Sequence, residues 1–174
     1  DRRAVRAVGG VRHPHGRHVA ARRSSQHLLS EQLLLNWLLQ LLMALDHIHK
    51  KGIVHRAIGL QSVMIQENAH VKLANFALPG LPIVDQRYLK GYLSDREYCL
   101  SPELCRGDGH YTKKCDICSV GCLIWGLTCL EYPYEGKSLA QLTRNILTKQ
   151  LPTERIPGCY SQNFIRIMTS KILN

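Results

Sequence analysis

A mainly α fold carrying a small β-hairpin, α+β overall, is what this sequence predicts, on three observations. Apolar residues recur at helical spacing between Ser30 and Lys51. From Asp116 to Leu130 the chain is apolar nearly all round, the mark of a helix buried on every side. Only short β-type runs lie between them, Ser62–Ile65 and Val71–Leu73, joined by the turn-prone Glu67-Asn68-Ala69. At 174 residues and 45% hydrophobic, the chain has the size and composition of one domain with its own core.

Residues 1–24 come first and read as a basic, flexible arm. They hold seven Arg against one Asp, so more than half of the +10 formal charge sits there. No aromatic residue is interleaved to stack on bases, which argues against a nucleic-acid contact. His13, His15 and His18 lack a Cys or carboxylate to complete a metal site. Ser30 is the expected N-cap of the first helix, with Glu31 complementing its dipole. Its buried stripe runs through Leu34, Trp37, Leu38, Leu41, Leu42, Leu45 and Ile48. Lys50, Lys51 and Gly52 supply a basic last turn and a stop. Ile53-Val54 reads as a very short strand. Residues 77–100 hold Pro79, Gly80, Pro82 and Gly91 with little periodicity, so they read as a long loop of the functional or mobile kind. Beyond the buried helix, Ser138–Lys149 and Ser161–Leu173 read as two more amphipathic helices.

Seven Cys is an odd number. Cys115-x-x-Cys118 has no second pair, so a zinc ribbon lacks half its ligands. Cys118, Cys122 and Cys129 lie in the apolar run and read as reduced core residues of a cytosolic protein. The Leu-rich run from Leu33 to Leu45 is broken by Asn36 and Gln40 and is too short to span a bilayer. No secretory signal is recognisable, and the chain opens on Asp1 rather than Met.

Three short motifs carry the chemistry: His55-Arg56-Ala57-Ile58-Gly59-Leu60-Gln61-Ser62, then Asn75-Phe76-Ala77, then Ser101-Pro102-Glu103. Their order within helix, short strand, loop, strand pair, long loop and buried helix resembles the C-terminal lobe of a eukaryotic protein kinase. Leu35-Asn36-Trp37-Leu38-Leu39-Gln40, Tyr98-Cys99-Leu100-Ser101-Pro102-Glu103 and Ser119-Val120-Gly121-Cys122 are similar to the wording of the NIMA-related Ser/Thr kinases. The resemblance covers about residues 25–174, read as a partial lobe. The 174 residues contain neither a Gly-x-Gly-x-x-Gly after a strand nor a Val-Ala-x-Lys strand, so the ATP-covering N-lobe is expected to be absent.

The resemblance implies that active members use ATP and Mg2+ and read His-Arg-Asp-x-Lys-x-x-Asn and Asp-Phe-Gly. Here Ala57 stands in the catalytic Asp slot, Gly59 in the Lys slot, Ser62 in the slot of the metal-binding Asn and Asn75 in that of the metal-binding Asp. Arg96 stands where the family has a Thr contacting the Asp and Lys. No catalytic residue is intact, and no cofactor or metal ligand is expected. His55, Phe76 and Asp116 match the family's packed spine. Arg56 occupies a position that meets a phosphorylated residue, for which Tyr88, Tyr92, Ser94 and Tyr98 are candidates. Glu103 is expected to lack its usual Arg partner, which in the family lies beyond Asn174.

The favoured reading is thus a catalytically inactive, pseudokinase-like protein that serves, if at all, as an interaction or scaffold module. Residues 77–100 and the helix from Ser138 are its expected partner surfaces. The resemblance also suggests a cytoplasmic, cytoskeleton-associated location. One rival is a fragment of a Ser/Thr protein kinase that transfers phosphate from ATP to protein. Another is a binder of nucleic acid or acidic surfaces through the arm, whose affinity would fall steeply with salt.

Overall fold

Helix α1 spans Glu31–Lys50, capped at its start by Ser30, whose hydroxyl accepts from the Leu33 N–H at 3.3 Å. The computed structural model describes residues 28–66, 69–76, 95–107 and 112–173. The arm 1–24 and most of the expected loop, 77–94, lie outside them, as do Tyr88, Tyr92 and Ser94. Of the expected stripe, Leu34, Trp37, Leu38, Leu41 and Leu45 are buried, while Leu42 and Ile48 are half-buried.

The end of α1 explains one departure from expectation. Gly52 adopts a left-handed φ of 76°; its N–H donates to the His49 carbonyl at 3.1 Å, and that of Ile53 to the Ile48 carbonyl at 3.0 Å. This paired closure satisfies helix carbonyls that would otherwise be orphaned. It also occupies the Ile53 N–H, so Ile53-Val54 is not a strand. The described sheet has two strands, β1 (Val63–Ile65) and β2 (Val71–Leu73), antiparallel with Met64 opposite Lys72. Ser62, expected to open the first strand, belongs instead to the short 3₁₀ turn Leu60–Ser62. The hairpin is fastened to α1 by side chains. Trp37 Nε1 and Gln40 Nε2 both donate to the Ala69 carbonyl at 3.2 Å, and Gln40 Oε1 accepts from the Val71 N–H at 2.8 Å.

The expected loop 77–100 is corrected at its end, where α2 forms a helical turn at Asp95–Tyr98. Tyr98 stacks on Tyr132 with ring centroids 5.0 Å apart, and Cys99 and Leu100 are buried beside it. Burial of these residues draws the segment out of the loop. Helix α3 (Pro102–Arg106) follows, then α4 (Lys113–Cys129). The buried helix therefore starts three residues before Asp116: Thr112 is the cap, its hydroxyl accepting from the Lys114 N–H at 3.1 Å. From Cys115 to Thr128 every residue of α4 except Ile117 is buried, as the all-round apolar pattern requires. α4 packs against α1 and against the final helix, α6 (Gln162–Leu173); α5 (Leu139–Thr148) packs on α3. Ser138 and Ser161 cap α5 and α6, accepting from Gln141 and Phe164 N–H groups. The ends of α1 and α6 are joined where Glu31 accepts from both the N–H and the hydroxyl of Ser161, each at 2.7 Å.

The seven cysteines are free thiols. Cys118 and Cys122 lie in the core as expected, whereas Cys129 is half-buried. Burial pushes the Cys105 and Cys129 thiols up to about 12, which keeps them protonated and poorly nucleophilic. No helix among the described residues is long and apolar enough to cross a membrane.

Candidate functional site

The loop His55–Ser62 hangs from one buried carboxylate. Asp116 is 1% exposed, and its Oδ2 accepts from the backbone N–H of His55 and its Oδ1 from that of Arg56, both at 2.8 Å. Two successive N–H groups thus converge on one carboxylate, and Arg56 itself takes a left-handed φ of 59°. That conformation costs a non-glycine residue about 1 kcal/mol or more, and the charge-assisted bonds offset it. His49, in the last turn of α1, adds a third bond from Nε2 to Oδ2 at 2.8 Å. The Cys115 thiol also lies 3.8 Å from Oδ1. Asp116 thus joins α4, α1 and the loop.

His55 is fully buried and laces the loop to the exit of β2. Its Nε2 lies 3.0 Å from the Ala74 carbonyl, and its Nδ1 3.3 Å from the Ala57 N–H. A carbonyl needs a donor and an N–H needs an acceptor, so the ring carries its proton on Nε2. Phe76 lies over this ring at 4.3 Å between centroids, yet remains 44% exposed. The expected spine of His55, Phe76 and Asp116 is therefore contiguous at His55, with its Phe76 end open to solvent.

Of the four positions that depart from the motifs the resemblance implies, Ala57, Gly59 and Ser62 sit along this loop and Asn75 follows β2. Ala57 and Gly59 are buried and bring no functional side chain. Ser62 is 2% exposed, and its hydroxyl closes on Gly59 in both directions. It accepts from the Gly59 N–H at 3.0 Å and donates to the Gly59 carbonyl at 2.9 Å. Asn75 adopts a left-handed φ of 57°, a region that Asn enters more readily than most residues. Its Nδ2 donates to the Gln61 carbonyl at 2.7 Å.

These contacts test the Mg2+ that the resemblance implies. A hard cation wants anionic oxygens free to point at it. Asn75 turns an N–H toward the turn, and the Ser62 hydroxyl is engaged on its own backbone. Neither position brings a negative charge, so the residues present do not fit the ion.

The Ser101-Pro102-Glu103 motif turns out to be a helix start. Ser101 caps α3, with its hydroxyl 3.4 Å from the Leu104 N–H, Pro102 takes the first turn and Gly107 closes the end at φ 68°. Glu103 has a partner within the chain: its Oε1 accepts from the N–H of Thr112 at 3.0 Å and its hydroxyl at 3.3 Å. Helices α3 and α4 are thereby linked. Tyr98 is removed from the candidate phosphate acceptors, because it is 1% exposed with its hydroxyl facing the Gly136 carbonyl at 3.4 Å. Arg96 falls within α2.

Sequence reasoning missed two residues. His49 continues the four-residue series Trp37, Leu41, Leu45, a signal of burial that its polarity concealed. Gln61 contributes only a backbone carbonyl, which leaves no trace in side-chain identity.

The protein kinase domain family model matches residues 13–171. The human serine/threonine-protein kinase Nek5 is 36% identical over 120 residues, covering 68% of this chain and 17% of its own length. Mouse Nek3 is 31% identical over 134 residues, 77% of this chain and 25% of its own. A probable serine/threonine-protein kinase nek2 of Dictyostelium discoideum is 31% identical over 153 residues, 86% of this chain and 35% of its own. The chain therefore spans well under half the length of these relatives. With the family model matching most of its residues and the Nek enzymes among its relatives, the chain belongs to the protein kinase domain family and is of the NIMA-related kind.

Proposed function

We propose that this chain is a kinase-like protein that does not transfer phosphate and that acts, where it acts, as an interaction module. The observation that carries the reading is the state of the four altered positions. A methyl group, a glycine, a hydroxyl and a carboxamide occupy them, and both polar groups bond to the chain's own backbone. Phosphoryl transfer rests on positioning and charge neutralisation. Loss of the proton-accepting carboxylate alone is worth on the order of 10²–10⁴ in rate. Loss of the metal-binding and phosphate-steadying charges compounds it. Residues 77–100 and helix α5 are the proposed partner surfaces, and a cytoplasmic, cytoskeleton-associated location goes with the family resemblance.

The test is incubation of the purified chain with labelled ATP, Mg2+ and generic acceptor proteins. Incorporation should stay at the level of a mock purification. Incorporation that tracks the chain through independent purifications and vanishes on its immunodepletion would overturn the proposal in favour of an active kinase fragment. A nucleotide thermal-shift measurement accompanies it, since a bound nucleotide raises the unfolding temperature by mass action; no shift is expected.

A further inference from the structure

The two altered polar positions are not equivalent. Ser62 closes on its own turn, whereas Asn75 reaches across to another segment. Its Nδ2 donates to the Gln61 carbonyl, and the adjacent Ala74 N–H donates to the adjacent Ser62 carbonyl at 2.8 Å. Two consecutive residues leaving β2 are therefore bonded to two consecutive carbonyls of the turn Leu60–Ser62. The turn is itself held rigid by the two-way Ser62–Gly59 contact.

The side chain at position 75 must satisfy two demands. The backbone is left-handed at φ 57°, which Asn and Asp tolerate better than other residues with a side chain. The Gln61 carbonyl, 2.7 Å away, has no proton and needs a donor. Asp meets the first demand and fails the second, because its ionised carboxylate sets acceptor against acceptor. Asn meets both.

We infer that Asn75 is a positioning residue, a latch that joins the exit of β2 to the turn through a direct hydrogen bond where the family's resemblance would place a cation. The altered position then does structural work of its own. It deepens the reading of an inactive site, but its test reads local order and not phosphate transfer, so the two can fail separately.

The experiment is amide hydrogen exchange on the 174-residue chain, followed at Gly59, Ser62 and Ala74, with helix α4 as internal reference. Asn75→Asp and Asn75→Gly are compared with the unaltered chain, each with Mg2+ and with EDTA. Glycine keeps the left-handed backbone and lacks only the bond, which guards against a variant that fails to fold. Both substitutions should speed exchange at the three reporters by roughly 2- to 10-fold and leave α4 unchanged. The unaltered chain should show the same protection in Mg2+ and in EDTA. Unchanged reporters in Asn75→Asp, or protection of the unaltered chain that is lost in EDTA, would overturn the proposal.

Discussion

Asp116 and Asn75 hold the same loop near its two ends, and the two contacts differ in kind. Asp116 approaches from beneath, fully buried, and takes two backbone N–H groups and His49 on one carboxylate. Asn75 approaches at the rim, exposed to solvent, with one bond to one carbonyl. Asp116 matches the residue that the resemblance implies at its position, whereas Asn75 does not. Burial sets what each contact is worth. Removing a buried carboxylate leaves several donors with neither protein nor water to pair them, whereas a rim side chain can change while water covers the loss.

The largest expected effect tests the underside. Asp116→Ala strips partners from His49 and from two backbone N–H groups, one buried and one half-buried, and should lower unfolding free energy by about 3–5 kcal/mol in urea titration. A loss below about 1 kcal/mol, the size of one ordinary hydrogen bond, would break the comparison. A smaller effect sharpens it at Ser62, an altered position that is nonetheless buried. Ser62→Ala leaves the Gly59 N–H and carbonyl without that hydroxyl and should cost about 1–3 kcal/mol by the same measurement. If it costs nothing, the hydroxyl is a bystander and position 62 has no structural role of its own.

The smallest effect lies away from the loop and serves as a control on pH. The Ser161 N–H and hydroxyl hold the Glu31 carboxyl below its ordinary value. A carboxyl depressed by folding stabilises the fold above its unfolded pKa, and that contribution is lost as pH falls through the folded value. The stability difference between the unaltered chain and Glu31→Gln should be constant above about pH 5.5 and shrink on acidification. A difference that grows toward acid pH would reverse the assignment.

Much of the fold was legible in the residues. Ser30, Ser138 and Ser161 announce helix starts because a hydroxyl cap is a local device, and the unbroken apolar run of α4 announces a buried helix because no other setting tolerates it. Ile53-Val54 reads as a strand because pattern reports side chains, whereas the N–H of Ile53 is committed to the end of α1. The apolar run marks the start of α4 late because Lys113 and Lys114 precede it. At the site, the identities of Ala57, Gly59, Ser62 and Asn75 were readable at once. Their present bonds were not, since the partners of Ser62 and Asn75 are backbone groups.

By itself the sequence determined the helical frame, the family and the residue types at the four altered positions, for these depend on periodicity, local capping and identity. Tertiary structure decided which polar groups meet: that Asp116 gathers a loop lying 60 residues before it, that Glu103 bonds to Thr112 and that Asn75 reaches the Gln61 carbonyl. A hydrogen bond depends on the direction and distance of two atoms, and for groups far apart along the chain only the folded packing sets either.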